Sequence, residues 1–150
     1  MTWQRLFAAG AALGALAIAA GAFGAHALKK RLSADDLTIF ETGARYHMYG
    51  ALAVLAFGVA AAHGVRAVTP GWVLVGGTAI FAGTLYGIAL GGPRWLGAIT
   101  PLGGTLMLVA LAWVAIAAVR AWPFTQTTCR SVCTTSTRSA WAAITRSRSL

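Results

Sequence analysis

The chain has 150 residues, 58% of them hydrophobic and only 10% charged, and 12 Lys and Arg against 3 Asp and Glu give a net charge of +9. Soluble domains carry roughly 25% charged residues, so a water-solvated globule of this size is excluded. The basic residues fall between apolar runs and in the C-terminal tail, with no basic stripe interleaved with aromatics; this argues against a nucleic-acid partner and for anchoring of helix ends against lipid headgroups.

The first apolar run, residues 6–27, holds 22 residues without a formal charge between Arg5 and Lys29-Lys30-Arg31. As a helix it is about 33 Å long, enough to cross a hydrocarbon core of roughly 30 Å. Its basic start and its Ala25-His26-Ala27 end also resemble a cleavable signal peptide. The run is longer than the usual stretch of about 7–15 apolar residues, so retention is expected; cleavage would leave three spans.

Residues 28–45 hold every acidic residue: Asp35, Asp36 and Glu41. Ser33 reads as a helix N-cap, with two carboxylates in the first turn facing the positive end of the dipole. Leu37, Phe40 and Ala44 form an apolar stripe, and Glu41 and Arg45 sit four apart as a charge pair. The pattern predicts a short amphipathic helix on the membrane surface that bends or continues into the second run.

That second run covers residues 46–65, the third 71–90 and the fourth 95–119. The connections at 66–70 and 91–94 each hold a Pro and one Arg, as surface turns do, and turns this short make neighbouring helices antiparallel. None of the runs alternates apolar and polar residues, which excludes a membrane β-barrel. The expected fold is all-α: a four-transmembrane-helix up-down bundle over residues 1–122, with the surface helix between spans 1 and 2. Lys and Arg near the spans favour the first and third loops on the cytoplasmic side, and the four arginines of the tail would reverse that balance.

Residues 123–150 change character. Twelve of the 27 residues from 124 onward are Ser or Thr and none is acidic, so a disordered tail is expected. The abrupt change after Pro123 also fits a translated out-of-frame end. Cys129 and Cys133 have no further Cys or His nearby to complete a zinc site, so free thiols are expected, or a disulfide in an oxidising compartment.

Helices in lipid associate by close packing, which small residues permit. Gly10, Gly14 and Gly21 form such a stripe on the first run, and Ala79, Gly83, Gly87 and Gly91 a longer one on the third. Gly103 and Gly104 follow Pro101 near the start of the fourth. All are expected at packing seams, with the third-run stripe at a homo-oligomer contact. The polar residues set in apolar surroundings are His26, Glu41, Tyr46, His47, Tyr86 and Pro101. His26 and His47 are expected to meet near one membrane interface beside Glu41 and Arg45, either titrating as a cluster or holding the surface helix in place. Tyr86 needs a hydroxyl partner, for which Thr100, Thr105 and a carbonyl freed by Pro101 are the candidates. No metal-ligand motif, nucleotide loop or nucleophile with a placed base is present, so no cofactor, no metal and no enzyme is expected.

Gly21-Ala-Phe-Gly-Ala-His-Ala-Leu28, Phe40-Glu-Thr-Gly-Ala-Arg-Tyr46, Phe81-Ala-Gly-Thr-Leu-Tyr86 and Thr100-Pro-Leu-Gly-Gly104, in this order, resemble the domain of unknown function 423 family. The likeness covers roughly residues 5–122. It implies a small multi-pass protein of the bacterial inner membrane and adds no reaction. His26, Tyr86, Pro101, Gly103 and Gly104 match the family pattern, as does Tyr46. Gly50 stands where the family often has His, which weakens any mechanism that needs two histidines. Two functions are expected to compete: a non-enzymatic protein packing against membrane lipids, a second copy or another membrane protein, and a small-solute or proton pathway through the bundle.

Overall fold

The computed structural model describes residues 2–121, and the predicted tail lies outside them. The fold is all-α, with no strand among the described residues. Helix α1 is Thr2–His26, α2 is Ala34–Ala62 and α3 is Val68–Ala89; α4 covers residues 100–121. Short 3-10 turns at Leu28–Lys30 and Arg94–Ala98 join α1 to α2 and α3 to α4. Residues Met1–Ala117 form one compact unit.

Three helical stretches are long and apolar enough to cross a membrane: Trp3–Lys30, Val68–Ala89 and Arg94–Ala121. Helix α2 differs. Its first half carries Asp35, Asp36, Glu41 and Arg45, which dilute its hydropathy, yet it is an unbroken helix of 29 residues. Of the two arrangements expected for the amphipathic segment before residue 46, a bend or a continuation, the helix continues: that segment is the first half of α2. Ser33 caps it as predicted, accepting from the Asp36 amide at 3.1 Å and donating to the Asp36 carboxylate at 2.7 Å. Leu37, Phe40 and Ala44 turn toward the neighbouring helices, with Phe40 buried.

Two turns are also shifted. Pro70 lies inside the first turn of α3, where its missing N–H has no intrahelical partner to lose, so the connection from α2 is residues 63–67. Gly64 ends α2 at φ +88°, a left-handed backbone that other residues avoid. Pro101 likewise starts α4 and does not kink it.

Glycines set how closely the helices approach. A Cβ on Gly10 would lie 2.9 Å from the Leu55 amide nitrogen, and one on Gly58 would lie 3.1 Å from the Phe7 Cβ, so α1 and α2 pack backbone to side chain. Between α2 and α3, a Cβ on Gly50 would overlap Thr78, and one on Gly43 would lie 3.1 Å from the Tyr86 ring. Between α3 and α4, a Cβ on Gly103 would lie 2.6 Å from the Phe81 nitrogen. These contacts place all three pairs antiparallel. They also fix one register, in which His47 of α2 lies level with Ala17 of α1 and Ala82 of α3, both buried.

Leu6, Val54, Phe57, Ala67, Leu74, Met107 and Ala110 fill the core toward the end where α2 passes into α3. Leu28, Phe40 and Ala89, with Tyr86 against them, fill the other end. Leu16, Ile18, Phe23, Leu52, Leu108 and Ile116 point outward and are more than half exposed, the surface that a lipid solvent requires. Gly50→Leu is expected to destabilise the bundle by about 1–3 kcal/mol through overpacking against Thr78, whereas Gly21→Leu, into open space, is expected to change it by less than about 0.5 kcal/mol. Reversible unfolding in mixed micelles measures both.

Candidate functional site

The polar residues singled out in the sequence separate into two groups. His26 is exposed at the end of α1, and Glu41 and Arg45 are exposed on the outer side of α2. His47 is buried, with 8% of its surface exposed. The register puts it level with Ala17, nine residues before His26 and so about 14 Å away along the helix axis. The predicted meeting of His26 with His47 therefore does not occur. The cause is the length of α2: the helix begins at Ala34, so residue 47 is already several turns inside the bundle.

Tyr46 faces outward beside His47, 44% exposed, with its ring 5.1 Å from Phe81 and 5.7 Å from Tyr49. Pro101 is exposed at the start of α4. Neither reaches the buried polar group.

What His47 does meet is Tyr86. Its Nδ1 lies 3.3 Å from the Tyr86 hydroxyl. The Tyr86 ring is held by Phe40, at a centroid distance of 4.7 Å, and by the gap that Gly43 leaves. In one tautomer the Tyr86 hydroxyl donates to Nδ1 and the imidazole proton sits on Nε2. In the other, Nδ1–H donates to the Tyr86 oxygen. In either case His47 Nε2 is sealed from solvent and has no hydrogen-bond partner among the described residues.

The partners expected for Tyr86 are engaged elsewhere. Thr100 shares a hydrogen bond of 2.9 Å with Thr84 and also donates to the Leu96 carbonyl. Thr105 donates to the Pro101 carbonyl at 2.8 Å. Buried Thr78 donates to the Leu74 carbonyl at 2.8 Å.

Among the predicted packing glycines, Gly10, Gly87 and Gly103 sit at close approaches, while Gly14 and Gly104 make ordinary contacts with Ala51 and Phe81. Gly21 and Gly83 do not: a Cβ on either meets nothing within 4 Å. The third-run stripe is thus divided. Gly87 is covered by Leu96 of the chain's own 3-10 turn, and Gly91 is a left-handed turn residue at φ +92°. Gly83 instead lies on an open face with exposed Gly76, Ala79 and Trp72. Sequence reasoning missed Gly43, Gly50, Gly58, Gly71 and Gly77, which carry much of the close packing. The first three recur seven and eight residues apart on α2, a small-residue period that would have exposed the buried face.

An all-helical chain with apolar outer surfaces, three helices long enough to span and glycine-paired seams is a multi-pass membrane protein. A family model described as a protein of unknown function (DUF423) matches residues 20–104, more than half of the chain. The UPF0382 membrane protein YwdK of Bacillus subtilis (strain 168) is 40% identical over 108 residues, 70% of this chain and 88% of that protein. The UPF0382 inner membrane protein YgdD of Escherichia coli (strain K12) is 33% identical over 126 residues, 80% of this chain and 93% of that protein. A UPF0382 membrane protein of Haemophilus influenzae is 36% identical over 107 residues, 69% of this chain and 83% of that protein. The chain belongs to the DUF423 family. No solved structure matches it.

Tyr86→Phe is expected to cost about 0.6 kcal/mol, the average for a side-chain hydrogen bond between membrane helices. Tyr86→Ala, which also empties the space against Phe40 and Gly43, is expected to cost about 3–5 kcal/mol. Unfolding in mixed micelles separates the two, and equal losses would show that the ring contributes nothing beyond its hydroxyl.

Proposed function

We propose that this chain is a four-span, non-enzymatic protein of the bacterial inner membrane that works by assembly, seating a helix of a second copy or of another membrane protein on the outer face of α3. The placement follows that of its relative YgdD, an inner membrane protein of Escherichia coli. The fourth span is α2. Its register against α1 and α3 sets residues from about 38 to 60 level with their apolar lengths, so these two spanning neighbours would carry α2 across with them. Glu41 then lies on the outer side toward one interface, while Arg45, about 3 Å along the axis from His47, lies deeper, and its long side chain extends along α2 toward the headgroups.

The observation that carries the assembly reading is the division of the glycines. Those at the seams of this chain have their missing Cβ space filled by a neighbour; Gly76 and Gly83, on the outer face of α3 between Trp72 and residue 83, have nothing within 4 Å. Glycine costs a helix about 1 kcal/mol relative to Ala, and in lipid its use is to let another backbone come close. The described part of the chain offers no backbone there.

A small-solute or proton pathway through the bundle is the second reading, favoured by buried His47. The other interior hydroxyls, on Thr78, Thr84 and Thr100, are bonded to helix carbonyls or to each other, which supports the assembly reading over a continuous polar file.

Native mass spectrometry of the full chain from mild detergent tests the proposal. A defined oligomer or a stoichiometric partner is expected, and Gly83→Leu is expected to release the chain as a folded monomer. A wild-type monomer carrying only lipid would overturn it.

A further inference from the structure

Among the described residues the least satisfied side chain is the His47 imidazole. Its Nδ1 faces Tyr86, while Nε2 is sealed and unpartnered in a side chain only 8% exposed. A buried polar atom left without a partner is costly, and an ionisable side chain at depth in a membrane bundle is by default a functional feature. The level of His47 sharpens this. Opposite it lie Ala17 and Ala82, near the middles of the apolar lengths of α1 and α3, so in the four-span arrangement His47 sits close to the bilayer centre.

The packing around it limits what a ligand could be. On α2, Gly43 and Gly50 flank His47, and the volume each leaves is already taken, by Tyr86 and by Thr78. A solute or lipid group has no equivalent gap to enter on this seam. A proton needs no volume and uses the one atom that has no partner.

We propose that His47, with its Nδ1–H donating to the Tyr86 oxygen, presents Nε2 as a proton-binding site at the middle of the bundle, and that proton uptake there loosens the seam between α2 and α3. The proposal rests on α2 being a membrane span. Neutral imidazole fits the closed seam. Once protonated, it carries a charge that nothing beside it balances. Helix α1 has no charged or titratable side chain between Arg5 and His26. Helix α3 has no charged residue and only Tyr86 as a titratable one. Helix α4, packed on α3, has none between residues 100 and 117. On α2 itself, Glu41 and Arg45 are exposed on the outer side. The charge is relieved only by movement that brings Nε2 toward water or headgroups. The seam is the place for that movement, because beside His47 it is held by glycine approaches to Thr78 and Tyr86 and beyond them by apolar packing of Val54, Phe57 and Leu74, rather than by a locked polar network.

The test uses the full chain in lipid nanodiscs, with nitrogen-15 in its three histidines, assigned by His26→Gln and His63→Gln. Imidazole shifts and amide hydrogen exchange of residues 43–54 are followed together from about pH 8 to about pH 5, with exchange corrected for its intrinsic pH dependence. The expected result is a His47 protonation step distinct from those of His26 and His63, accompanied by a rise of about tenfold or more in exchange of 43–54 and little change in α1. His47→Phe, an aromatic side chain of similar reach, is expected to remove the rise while the chain stays folded. His47 neutral throughout this range would overturn the proposal and leave the span reading standing. His47 titrating in step with the two exposed histidines would overturn both. Titration without a change in exchange, or the same rise in His47→Phe, would remove the link to the seam.

Discussion

The backbone of α2 lies against two neighbours at positions where it has no side chain, and the rest of the bundle follows from that approach. Gly58 receives Phe7 of α1, and Gly50 receives Thr78 of α3. A pair of such contacts on one helix leaves a single register available, because sliding by one residue would drive a Cβ into a backbone or a ring. Overpacking of that kind costs about 1–3 kcal/mol per site, and several sites act together. The seams are therefore fixed in level as well as in distance. In hydrocarbon, where apolar burial no longer favours one helix pair over another, such shape matching is what selects neighbours.

Register decides where the polar residues fall. It carries His47 inward, places Tyr86 beside it, and leaves His26 about 14 Å away along the axis at an exposed helix end. The same constraint explains why a second histidine would not fit this bundle. Gly50 stands where the resemblance leads one to expect His, and the space a side chain would need there belongs to Thr78. One buried imidazole with one aromatic partner is the arrangement this packing admits.

Helix class, the antiparallel connections, the Ser33 cap and the family were legible in the sequence, because each depends on local composition or on motifs within a few residues. Whether the amphipathic segment bends away from the second run or continues it was not. Hydropathy marks a run from Tyr46, since Glu41, Arg45 and His47 interrupt the pattern, but a helix continues through polar residues whenever one face stays apolar, and Leu37, Phe40 and Ala44 keep that face. The partner of Tyr86 was missed for a related reason: Thr100 and Thr105 are nearer in sequence, yet each bonds a carbonyl four residues back, Leu96 in the 3-10 turn and Pro101 in α4. Glycine stripes spaced by four were visible, whereas Gly43, Gly50 and Gly58 follow a seven- and eight-residue period that matters only once a facing helix is known.

In the proposed four-span arrangement this register, rather than the apolar run, sets which part of α2 lies in the membrane. A depth profile tests it most directly: single spin labels placed along the outer face of α2 in the full chain, in lipid bilayers, read against oxygen and a water-soluble relaxant. Greatest depth is expected near residues 47–50, with residues 36 and 62 near the two interfaces. A maximum near residue 55, with residue 47 at the headgroups, would restore a span of 46–65 and contradict it.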